Sequence, residues 1–205
     1  MNQLSTKEKI IAQSLLMFNQ KGVENITTRH IAKELGISQG NLHYHYPNKN
    51  EILELLFSNM IEAFKKAESL KSRALSPENI FYSMRSNFKI MHDYRVFFQQ
   101  NTVIWRRLPA LKTKLQALLN QKKEEIILLV NAYKREGKFR TDISDTQIEF
   151  LADQFIFTIA TWLCAKDYSL EDHSIDYYSK FLFRIWMPYL QQNEMEKWEG
   201  YLKLA

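Results

Sequence analysis

The chain has 205 residues, 45% of them hydrophobic and 25% charged, with a formal net charge of +5. That is an ordinary soluble globular balance, enough for one compact domain or two small ones. The one cysteine, Cys164, excludes an internal disulfide, and no stretch approaches the roughly 20 apolar residues of a membrane span. The N-terminus carries no apolar signal core, so the chain is expected to be cytoplasmic, with no membrane partner. Gly (5) and Pro (4) are scarce, which favours an all-α fold. Residues 1–50 hold six Lys/Arg against three Asp/Glu, so over half the net charge sits in the first quarter. A local basic excess suits phosphate binding.

Taken in order, Ser5 and Glu8 form a capping box, and Ile11, Leu15 and Phe18 follow at helical spacing until Gly22. Thr27 or Thr28 caps a short second helix with Ile31, Ala32 and Leu35 inward, and Gly36 breaks it. Ser38 starts a third short helix, which Pro47 ends. Asn48 and Glu51 open a long fourth helix to about Leu70. Ser76-Pro77-Glu78 starts the next, to about His92. Further helices are expected over Tyr94–Arg107, Pro109–Lys134, an apolar segment from Ser144 to about residue 166, and Ser174 to about Pro188. The polar tail after Leu190 reads as a short helix or frayed chain. That makes about nine helices and no convincing strand. The expected division is a three-helix N-terminal domain, residues 1–47, joined to a larger helical bundle, residues 48–205.

Residues 26–53, ITTRHIAKELGISQGNLHYHYPNKNEIL, carry the functional signal. Two short helices joined by a glycine turn make a helix-turn-helix. Gln39, Gly40, Asn41, His43, Tyr44 and His45 fall on the exposed face of the second helix. Gln and Asn can each pair bidentately with adenine. Gly40 lets the backbone approach the bases. Ser38 leaves its helix's first amides outward, where they favour a phosphate. Thr27, Thr28, Tyr44, His45 and Lys49 are placed to reach phosphates on either side.

This stretch resembles the signature of the TetR (tetracycline-repressor) family of bacterial regulators. The match runs through Thr27 or Thr28, Ile31-Ala32, Gly36-Ile37-Ser38, Leu42, Tyr44-His45-Tyr46, Lys49 and Ile52-Leu53, and covers roughly residues 5–57. His43 departs from it, standing where the family usually has a phosphate-contacting Tyr. The resemblance implies a sequence-specific transcriptional regulator: a repressor released from its operator by a small molecule of unknown identity. It also implies a ligand cavity among the middle helices, and a homodimer whose last two apolar helices pack with their copies. A single reading helix covers only a few base pairs, so the operator is expected to be palindromic double-stranded DNA.

On these helices Phe155, Ile159, Trp162, Phe181 and Ile185 are the expected dimer surface. Phe88, Phe97, Trp105 and Phe157 read as core first and pocket lining second. Asp153, inside the apolar FLADQFIFTIATW, is either an ion-paired rim residue or a carboxylate in the ligand cavity. A metal at His43 and His45 is not expected, because positions i and i+2 of a helix do not face each other. No cofactor is implied. Nor is an enzyme: the chain lacks a nucleophile elbow, a phosphate loop and a His–acid constellation. The rival readings are a helical protein-interaction module without DNA binding, and a ligand-dependent activator.

Overall fold

A computed structural model describes residues 4–69, 76–164 and 174–204. Among these are eleven α-helices and no strand, with a lone antiparallel bridge between Phe139 and Leu190. The chain packs as two compact units: residues 1–65 with 90–114, and residues 66–89 with 115–205. Three helices, α4 (Lys49–Ser69), α5 (Pro77–Asp93) and α8 (Pro109–Arg135), run from one unit into the other. The packing division therefore differs from the one expected after residue 47. The first turns of α4 and the segment 90–114 bury their apolar side chains with the N-terminal helices.

In the first unit, α1 (Thr6–Lys21) starts at the expected capping box and closes at Gly22, whose φ of 83° needs glycine. Then come α2 (Thr28–Glu34) and α3 (Gln39–His45), with Ile10, Phe18, Ile31, Leu42, Ile52 and Leu53 buried. The Asn48 side-chain oxygen accepts from the backbone N–H groups of Asn50 and Glu51, at 2.9 and 3.1 Å, and so starts α4. The helix expected over Tyr94–Arg107 is two, α6 (Val96–Gln99) and α7 (Asn101–Arg107), broken at Gln100. The break is tied to the turn after α1, because the Gln100 Oε1 accepts the Val23 N–H at 2.8 Å. Asn19 holds the same segment, donating to the Asp93 carbonyl at 2.7 Å and accepting the Val96 N–H at 3.0 Å.

The second unit is built on aromatic rings. Tyr133, Phe139, Phe183, Trp186 and Trp198 are all nearly inaccessible, and Phe183 stacks on Trp198 at 3.9 Å. Ser144 and Gln147 cap α9 (Asp145–Thr161) as expected; residues 165–166, where that apolar segment was expected to end, lie outside the described residues. Ser174 caps α10 (Ile175–Trp186), and Pro188 sits in a single 3-10 turn after it. The tail is not frayed: it forms α11 (Gln192–Leu204), held by the wholly buried Trp198.

Candidate nucleic-acid interface

The helix-turn-helix is α2, a glycine turn and α3. Thr27 caps α2 in a reciprocal box: its Oγ1 accepts the His30 N–H, and its own N–H donates to the His30 Nδ1, both at 3.3 Å. Gly36 turns the chain at φ 66°, and the Ile37 N–H then reaches back to the Ala32 carbonyl at 3.0 Å. Ser38 caps α3 by accepting the Asn41 N–H at 3.1 Å. Leu42 and Ile31, both fully buried, pin α3 against α2. With the inner face so fixed, the outer face is set by helical geometry.

Gln39, Gly40, Asn41, His43 and Tyr44 are exposed, Tyr44 at 84%. Thr27 and Ser38 are exposed beside them, and Thr28 is half-buried. A Cβ added to Gly40 would meet only the Ser38 Oγ, at 3.9 Å. Packing within the chain therefore does not require glycine there. The Gln39 Nε2 donates to the Thr28 Oγ1 at 3.0 Å, which links the two helices across the face. His45 is half-buried and packs edge-on to Tyr44, with ring centroids 5.3 Å apart.

Lys49 differs most from its sequence reading. Its ammonium is turned inward and donates to the carbonyls of Val23 and Ile26 at 2.6 and 2.8 Å. Burial lowers its pKa, and the nearby Arg107 lowers it further, against a smaller opposing effect of Glu24. As the first residue of α4 it is at the end of a helix that disfavours a cation. That misplacement was the readable signal that something else holds it. Arg107, in turn, donates to the Asn50 Oδ1 at 2.5 Å. Sequence reasoning missed Asn19, Gln100 and Arg107, polar residues whose partners lie roughly 60–80 positions away.

The expected pocket residues divide between the two units. Phe97 is buried in the first unit against Phe57, and Trp105 is half-buried in that same unit. Phe88 is buried in the second unit against Trp162, with ring centroids 4.9 Å apart. Asp153 is exposed and ion-paired with Lys123 at 2.5 Å, the rim alternative rather than the cavity one. Asp153→Asn should therefore move the melting temperature by roughly 2 °C or less, as for other solvated pairs. A larger drop in thermal unfolding would return Asp153 to a buried role.

The expected dimer residues also divide. Phe155 and Trp162 are buried within the protomer, Phe155 against Trp186 at 5.8 Å, so neither belongs to an exposed face. Ile159 and Ile185 are half-buried. The outward apolar residues are Phe150 (59% exposed) and Phe157 (70%) on α9, and Phe181 (42%) with Tyr177 on α10. On α9 the ring at 157, and not that at 155, faces outward. Among the described residues no three His, Cys, Asp or Glu are grouped to hold a metal, and no helix is long and apolar enough to cross a membrane.

Comparison with known proteins gives a consistent result. Residues 10–56 match the family model described as bacterial regulatory proteins, tetR family, and residues 56–198 match one described as bacterial transcriptional repressor. An HTH-type transcriptional regulator of Staphylococcus aureus is 25% identical over 182 residues, 87% of this chain and 90% of that protein. Among solved structures, a TetR-family transcriptional regulator from Marinobacter aquaeolei superposes with a TM-score of 0.86 at 22% identity, covering 98% of both chains. A putative transcriptional regulator from Saccharomonospora viridis, in complex with choline, gives 0.74 at 19% identity, covering 91% of this chain and 98% of that one.

Proposed function

Because the chain belongs to the TetR family of bacterial transcriptional regulators, we propose that it acts as a homodimeric repressor on a palindromic operator, released by a small molecule. The observation that carries the reading is the outer face of α3. Gln39, Gly40 and Asn41 are exposed and nearly uncharged, on a helix whose inner face is locked by Leu42. Such a face reads base edges by hydrogen bonding. Thr27, Thr28, Ser38, His43 and Tyr44 surround it and hold register on phosphates. His45 is half-buried and serves mainly to support Tyr44.

Dimerisation supplies the second half-site. Phe150 and Phe157 on α9, with Tyr177 and Phe181 on α10, form the apolar surface that a second copy covers. The ligand acts through the helices common to both units, α4 above all. It must bind the DNA-incompetent arrangement better, or it shifts nothing. The choline complex of the Saccharomonospora structure supports a small organic effector as a class.

Gln39→Ala tests base reading. It is expected to relax base preference and to cost about 1–3 kcal/mol on cognate DNA, read by fluorescence anisotropy against cognate and random duplexes. Equal losses on the two would remove Gln39 from base reading.

A further inference from the structure

A cleft of about 550 Å³ opens on the first unit, lined by α1 and α4 and by Tyr46. Leu15, Leu55 and Leu56 give it an apolar wall. Two independent features equip it for a ligand. The first is Tyr46, which is only 4% exposed and whose hydroxyl has no hydrogen-bond partner among the described residues. Buried hydroxyls are paired as a rule, and an unpaired one is costly until a partner arrives.

The second is positive charge at the rim. The Lys7 ammonium lies 5.8 Å from the centroid of the Tyr46 ring. The neighbouring carboxylate of Glu8 is already occupied, its Oε2 accepting from the Ser5 hydroxyl at 2.7 Å and the Ser5 N–H at 2.8 Å. Those same bonds hold the Glu8 carboxyl below its usual pKa. What the cleft offers is thus a buried O–H donor, an ammonium at the rim with the ionised Glu8 carboxylate turned to Ser5 beside it, and an apolar wall.

We propose that this cleft is a small-molecule site within the reading head, taking a carboxylate carried on a compact apolar body. The carboxylate accepts the Tyr46 O–H and faces Lys7, while the apolar body covers Leu15, Leu55 and Leu56. A volume of this size is in the range of small-molecule sites. Tyr46 also closes the reading helix, its N–H donating to the Leu42 carbonyl at 2.8 Å. A ligand held by Tyr46 therefore bears on the end of α3, and occupancy changes DNA affinity. That consequence rests on the DNA-binding reading above; the binding itself does not.

The test is calorimetric titration of the full-length protein, without DNA, with 4-phenylbutyrate and with its uncharged counterpart 4-phenylbutanol. The carboxylate should bind saturably. The alcohol should bind about tenfold or more weakly, and Tyr46→Phe should weaken the carboxylate by a similar factor. Ala12→Phe, which adds a ring to the cleft wall from an exposed helical position, should abolish binding while thermal unfolding stays close to wild type. The site is overturned if the wild type shows no saturable binding at millimolar ligand, or if both variants bind as the wild type does. Equal affinity for acid and alcohol overturns the carboxylate class. Carboxylate binding that leaves affinity for duplex DNA unchanged overturns the regulatory consequence, and a protein that binds no DNA overturns the DNA-binding reading instead.

Discussion

Phe157→Glu is expected to convert the proposed dimer to a monomer at micromolar concentration and to weaken operator binding on the order of a hundredfold or more. Phe157 is 70% exposed on α9, and Phe150, two turns earlier, is 59% exposed. On α10, Tyr177 and Phe181 stack 6.4 Å apart and are also outward. Covering each such ring is worth roughly 1.5–3 kcal/mol, and a two-fold interface counts each ring twice. The substitution removes that gain and asks two new carboxylates to be desolvated against an apolar surface, which costs several kcal/mol more. The loss on DNA follows because two tethered heads bind far more tightly than one. Sedimentation velocity reads the mass and anisotropy reads the affinity. A variant that sediments as the wild type would show that α9 does not form the interface.

Lys49→Ala is expected to destabilise the protein by about 2–4 kcal/mol, and Lys49→Arg to recover only part of the loss. The ammonium closes on two carbonyls, those of Val23 and Ile26, in the turn that leads from α1 into α2. Hydrogen bonds from a charged donor are worth more than neutral ones, and removing it leaves both carbonyls unsatisfied. Guanidinium is larger and planar and does not reproduce a point donor between two carbonyls. Denaturant unfolding measures the loss. If stability is unchanged and only the salt slope of DNA binding falls, by about one unit, then Lys49 is a phosphate contact after all and the inward geometry is irrelevant to its role.

These two residues also show what was legible in the sequence. Caps and glycine turns are local, so Ser5, Thr27, Ser38, Ser144 and Gly36 marked their helices correctly. The outward face of α3 was legible for the same reason: Ile31, Ala32 and Leu42 fix one side of two short helices and so fix the other. Residues whose role depends on distant partners were not. Lys49 looked like a surface cation because Val23 and Ile26 are brought to it only by the fold. Phe155 and Phe157 are two residues apart on α9, so they lie on different faces, and composition alone does not say which faces Trp186. Asp153 carried two readings, and Lys123, thirty positions away, decides between them. The tail was left open because its buried anchor, Trp198, needs Phe183 and Trp186 to dock on.

On the proposed function, the outer face of α3 reads a defined DNA sequence. The most direct measurement is selection of duplexes bound by the full-length protein from a random pool. Convergence on one inverted repeat, lost for the Gln39→Ala variant at defined positions of each half, is the predicted result. A pool that binds and elutes with salt but shows no enriched sequence would contradict it.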